Sequence, residues 1–181
     1  MADVEAPSRD RSLLLTTTVS MIVFLRADDI DAENSWKLLE WCTEHGGAEF
    51  FVRRMSLEGL AEPNIQRATD ALAPFQLKPA IRQRTVVYEN HLDSELTDLW
   101  SLSAESIRAL RPLFSDGLFT SPSYDKGGWL EEPTVYRAGR VLLGVVSHEE
   151  EAFMDLSEPE VEELRVLGYR LRENGVWLRD R

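Results

Sequence analysis

The run Leu156-Ser157-Glu158-Pro159-Glu160-Val161 constrains this fold more than any other part of the chain. Ser at a helix cap, Glu three residues on, Pro in the first turn and apolar residues at the flanking staple positions together specify where a helix begins. Gly168 supplies its stop, so whatever precedes Leu156 must be a different element. Residues 134–137, 140–147 and 152–156 are short, apolar and β-branched, with Ala138-Gly139 as the first turn, and they read as a strand meander. After the helix, Asn174-Gly175 is a two-residue hairpin signal between 169–173 and 176–179. That register would set Leu171 opposite Leu178 and Arg172 opposite Trp177.

The first half alternates in character. Residues 13–25 are rich in Thr, Val, Ile and Phe and read as a largely buried strand. Residues 31–45 place Leu38, Trp41, Cys42 and His45 at i, i+3, i+4, i+7, a helix stopped by Gly46-Gly47. Residues 49–55 read as a strand, 63–75 as a helix opening on Pro63, and 80–88 as a strand. Two helical pieces are expected at 93–102 and 104–114, with Asp93 and Ser103 as caps. Residues 115–133 have no sustained period and read as a long loop. The sum is α+β: residues 1–11 form a polar tail and 12–181 a single domain. Its sheet would be mixed or mainly antiparallel, with helices packed on it and a possible seam at 115–133.

Charge narrows the function. The 181 residues carry 20 Lys and Arg against 32 Asp and Glu, a net charge of −12. Nucleic-acid backbones demand clustered cations, so no nucleic-acid partner is expected, and anionic membranes are disfavoured for the same reason. No run of 18 apolar residues is present. The single Cys42 forbids an internal disulfide, and the residues before Leu13 lack the positive lead of an export signal, which points to the cytoplasm. Seventeen of the 20 basic residues are Arg, a bias of GC-rich bacterial coding.

Motifs for chemistry are sparse. Phosphate-cradling and nucleophile-elbow patterns are missing, and no cofactor or metal is expected. Cys42 and His45 share a helix face but lack a third ligand. Asp29, Asp31, Glu33 and Glu40 fall at calcium-loop offsets, yet a strand precedes them where a helix should stand. His148 and Glu149–Glu151 read as a solvated acidic turn. His91, with Glu89 and Asp93, lies at a strand end before an expected helix, where a pocket near Tyr88–His91 could use His91 and a carboxylate as acid and base.

The better supported reading is a partner surface. Residues 91–181 are net −8 against −4 for 1–90, and 148–164 hold eight acids with no Lys or Arg. Such a field steers a basic partner, and the 115–133 loop adds aromatic anchors. The expected contact set is Tyr124, Asp125, Trp129, Glu131, Glu149, Glu150, Glu160, Glu162 and Glu163. The expected function is a non-catalytic acidic module, of the immunity, antitoxin or adaptor kind, holding a basic protein. A small enzyme or ligand-binding domain at His91 is the alternative, and a homodimer the third possibility.

Overall fold

A computed structural model describes residues 20–54, 62–86, 91–114, 117–119 and 130–173, with the side chains of 62–64, 84–86 and 91–93 left out of that description. In chain order the elements are β1 (Ser20–Arg26), α1 (Ala32–Glu44), β2 (Glu49–Arg54), α2 (Glu62–Leu72), β3 (Ala80–Val86) and β4 (His91–Thr97). They continue with β5 (Trp100–Ser101), α3 (Ala104–Leu110), β6 (Leu130–Arg137), β7 (Arg140–Val146), β8 (Glu151–Ser157) and α4 (Glu158–Val166). Six strands form one sheet in the order β1-β8-β7-β6-β2-β5, and β3 pairs with β4 in a second. Every pair is antiparallel. With four α-helices among the described residues, the fold is α+β.

The meander β6-β7-β8 slots between β1 and β2, which α1 joins across it. β1 therefore pairs with β8 and β2 with β6, across the 115–133 segment. The central strands are buried on both sides, which is why 141–146 and 151–154 read as continuous rather than alternating runs. One core contains Trp36, Leu38, Trp41 and Cys42 from α1, Ile107 and Leu110 from α3 and Val161 and Leu164 from α4. The β3-β4 hairpin touches the main sheet through Tyr136, whose hydroxyl donates to the Gln83 carbonyl at 2.8 Å, and through Arg82, bonded to Glu49.

Of the caps expected at Asp93 and Ser103, Ser103 holds and Asp93 does not. Asp31 caps α1 by accepting from the Asn34 N–H at 2.7 Å, Ser103 and Ser106 form a capping box on α3, and Gly168 takes φ +94° after α4. Ala138 and Gly139 both have positive φ, as a two-residue hairpin turn requires.

Two expectations are corrected. Residues 93–102 are not a helix: Asp93 lies inside β4 opposite Arg84, and Trp100 and Ser101 form β5. Leu92, Leu96, Leu99 and Trp100 have helical spacing, but the strand at 80–86 offers an adjacent unpaired edge, and pairing with it wins. Residues 130–133 are not loop but the start of β6. Pro133 is tolerated there because the β2–β6 register slips by one residue, with Phe51 opposite Thr134 but Arg53 opposite Glu131. Glu132, at φ +52°, takes up the extra residue of that bulge. β1 is described from Ser20 onward. Of the expected terminal hairpin, Arg172 makes a bridge to Phe24 with N–H···O bonds of 2.7 and 2.9 Å, and 174–179 lie outside the described residues.

Gly144 faces Phe153 across β7 and β8, and a Cβ there would stand 2.3 Å from the buried ring. Gly144→Ala should cost about 1–3 kcal/mol through overpacking, read as a lower thermal midpoint. Gly168→Ala, with nothing within 4 Å, should cost about 1 kcal/mol from backbone strain alone.

Candidate functional site

Where α1 ends, three other elements converge on it, and Arg137 at the end of β6 binds them together. Its guanidinium donates to the Glu160 carboxylate at the start of α4, to the His45 carbonyl at 3.3 Å and to the Asp155 carbonyl on β8 at 3.1 Å. Glu160 also accepts from the Ser157 N–H at 2.7 Å and hydroxyl at 2.8 Å. Burial works against the charge on Glu160, but the Arg137 and Ser157 bonds outweigh it and hold the carboxyl below its ordinary value. Beneath them lies Cys42, fully buried, its thiol pushed far up by desolvation. It is a core residue rather than a nucleophile.

The next turn of α4 completes the junction. Glu163 accepts from the Trp41 indole N–H at 3.1 Å and sits 3.0 Å from His45 Nε2. The His45 ring stacks on Trp41 with centroids 3.8 Å apart and planes 15° from parallel. Farther along, the Tyr169 hydroxyl donates to the Asn34 carbonyl at 3.0 Å. Burial, and then acidic neighbours including Asp31 and Glu40, push that phenol up to about 12.

These contacts fix α4 alongside α1 and leave a groove of about 330 Å³ lined by Asn34, Lys37, Glu40, Trp41, Glu44, Leu167 and Tyr169. Its rim has two features of a contact surface. Val166 and Leu167 are 78% and 59% exposed, more apolar area than a helix end needs to show. Glu40 and Glu44 are exposed acids that line the groove, and Glu162 is an exposed acid farther back on α4. Aromatic floor, apolar lip and acidic rim together suit the aliphatic stem and charged head of Arg or Lys.

A second cluster occupies the opposite end of the sheet. Glu132 is buried, its carboxylate 3.2 Å from Arg53 and 3.7 Å from His148 Nδ1. Glu131 is half-buried, and desolvation raises its carboxyl despite Arg53 and His148 nearby. Glu151 is buried as well, so the turn read as wholly solvated is partly interior. Close by, Phe51, Arg53, Arg54, Thr97, Asp98 and Trp100 line a cleft of about 350 Å³.

The expected contact residues are not brought together. Glu149 and Glu150 stand before β8 and Glu160, Glu162 and Glu163 after it, so the strand's length of roughly 20 Å separates them. Glu131 belongs to the far cluster. Glu160 and Glu163 face inward partners, and Glu162 is exposed beside Arg165 at 3.8 Å. Tyr124, Asp125 and Trp129 lie outside the described residues, as do Tyr88 and Glu89. His91 and Asp93 are placed only by backbone, in β4 opposite Val86 and Arg84. His91 opens a strand and does not precede a helix, so the expected strand-to-helix setting is absent. The calcium-spaced acids serve otherwise: Asp29 pairs with Arg172, Asp31 caps α1, and Glu33 and Glu40 approach Arg111 at 3.3 and 3.7 Å. Among the described residues no three His, Cys, Asp or Glu side chains are grouped to hold a metal, and no helix is long and apolar enough to cross a membrane.

Sequence reasoning missed Arg137, Trp41, Glu40, Glu44 and Tyr169. The available signal was Trp41 and His45 at i, i+4 on the last turn of a capped helix. Comparison with protein-family models, with curated proteins and with solved structures finds no match.

Because Glu160 is held below its ordinary value, its stabilisation is complete above the usual carboxylate range and fades as pH falls through it. Glu160→Gln should therefore lose about 1–2 kcal/mol of unfolding free energy near neutrality. Urea titrations should show that loss shrinking towards about pH 3.

Proposed function

We propose that this chain is a non-catalytic binding module whose acidic α1–α4 face holds a basic protein partner. The observation that carries the reading is the groove over Trp41 and Tyr169, edged by Glu40 and Glu44 and continued by exposed Leu167. A net charge of −12 draws a cationic partner from a distance, and this face offers what a long-range field alone does not: the exposed apolar side chains of Val166 and Leu167 and the half-buried Tyr169 beside carboxylates. Lys37, Arg165 and Arg111, which stands 3.7 Å from Glu40, interrupt the acids, so the partner must match a pattern rather than a uniform charge. An immunity protein, antitoxin or adaptor that holds a basic protein would use a surface of this kind. A cytoplasmic setting accords with the lone, buried thiol.

A second reading, a small-ligand site, rests on the cleft beside Arg53, Arg54 and Trp100 and on the strained Glu132 next to it. It differs from a site at His91, since Thr97 in the cleft and His91 stand six residues apart on β4, roughly 20 Å.

Binding of a nona-arginine peptide tests the first reading. Reversing Glu40, Glu44 and Glu162 to Lys together should weaken it by about tenfold at moderate salt, while reversing Asp70, Glu95 and Glu105 should change it by less than about twofold. Equal losses in both triple variants would mean diffuse attraction and would contradict a dedicated face.

A further inference from the structure

The β3–β4 hairpin has its polarity reversed. Successive residues of a strand point to opposite faces, so the cross-strand pairs Ala80–Thr97 and Arg82–Glu95 share one face and Ile81–Leu96 and Gln83–Ser94 the other. The first face turns to the main sheet: Thr97 is buried, and the Arg82 guanidinium bonds Glu49 at 2.6 and 2.8 Å. The second face turns to solvent, and it is the face without charge. Ile81 and Leu96 stand directly opposite each other and are 63% and 68% exposed, with Gln83 and Ser94 exposed beside them. The next pair in that register, Thr85 and Leu92, is uncharged as well. An antiparallel pair with one solvated face ordinarily puts its polar residues outward and its aliphatic ones inward. A two-stranded sheet is also marginal by itself, and an apolar face on it calls for a second layer.

Charge decides what that layer is. Residues 77–97 hold Lys78, Arg82 and Arg84 against Glu89, Asp93 and Glu95, a net charge of zero in a chain of −12. A basic protein finds no excess of acid there, and an anionic membrane no excess of cations. A second copy of the chain meets neither obstacle. The uncharged centre keeps like charges out of the contact, and a rim of balanced sign is complementary to itself across a two-fold axis. The acids elsewhere on each copy are screened beyond about 8 Å at physiological salt. Aliphatic residues at a centre depleted of charge are also the composition of homodimer interfaces. The α1–α4 face, by contrast, would set Glu40, Glu44 and Glu162 against their like. We propose that the outward face of the β3–β4 hairpin is a dimer interface, on which Ile81 and Leu96 pack against the same pair on a second copy of the chain. The contact uses no residue of α1 or α4, so it stands or falls independently of the binding reading.

Sedimentation equilibrium of the full-length protein at physiological salt tests it. The mass should double as concentration rises through roughly 10–200 µM, the range of a small apolar contact. Ile81→Glu with Leu96→Glu should hold the protein as one chain, and so should Ile81→Lys with Leu96→Lys. An equimolar mixture of these two variants should dimerise, because a two-fold contact sets each charged pair against its opposite. Val166→Ser with Leu167→Ser should leave the dimer intact. In the unmodified protein, amide shifts that change with concentration should map to residues 80–83 and 94–97, a readout that needs no variant to fold. A mass of one chain up to about 200 µM overturns the proposal. If the hairpin amides then shift with lipid vesicles or nona-arginine, the face belongs to those occupants instead. A dimer that persists in either charged variant, a mixture that stays monomeric, or concentration-dependent shifts centred on 162–170 overturns it equally.

Discussion

Arg137 is the contact on which the rest of the arrangement depends. It closes β6, and from there it reaches the last carbonyl-bearing turn of α1, the backbone of β8 and the first turn of α4. No apolar contact could do this, because the groups to be joined are helix-end and strand carbonyls together with a carboxylate, all acceptors in need of donors. A guanidinium is the side chain with enough donors in a fixed fork to serve three elements at once. Once Glu160 is held, Glu163 is placed one turn farther on, against Trp41 and His45. The groove between α1 and α4 follows from that placement.

The excess of acids takes a different meaning in three dimensions. Along the chain the densest run is 149–163, but β8 divides it, and Glu151, Asp155 and Glu160 are spent on internal contacts. What remains at the α4 end gains strength from α1, whose Glu40 and Glu44 lie far away in sequence. Charge is therefore concentrated by packing two helices side by side, not by a run of residues. The acids at the other end of the sheet form a buried cluster with Arg53 and His148, which is a different chemical object.

Much of the fold was legible because its signals are local. The Ser103 cap, the Ala138-Gly139 turn and the Glu160 partner of Ser157 all act within four residues. The failures share a cause. Leu92, Leu96, Leu99 and Trp100 have helical spacing, and only the neighbouring strand at 80–86 decides against a helix. Glu160 and Glu163 read as surface acids because Arg137, Trp41 and His45 are 23 to 122 residues away. Pro133 reads as a loop residue because a bulge is a property of two strands, not of one.

Chemical-shift mapping tests the central claim most directly. With nona-arginine added to the isotope-labelled protein, the binding reading requires the largest changes at the Trp41 indole and at backbone amides of residues 34–45 and 162–170. Smaller ones should follow at Arg137, and none at Glu95 or Glu105. Changes spread evenly over the exposed acids, or centred on Arg54 and Trp100, would contradict it.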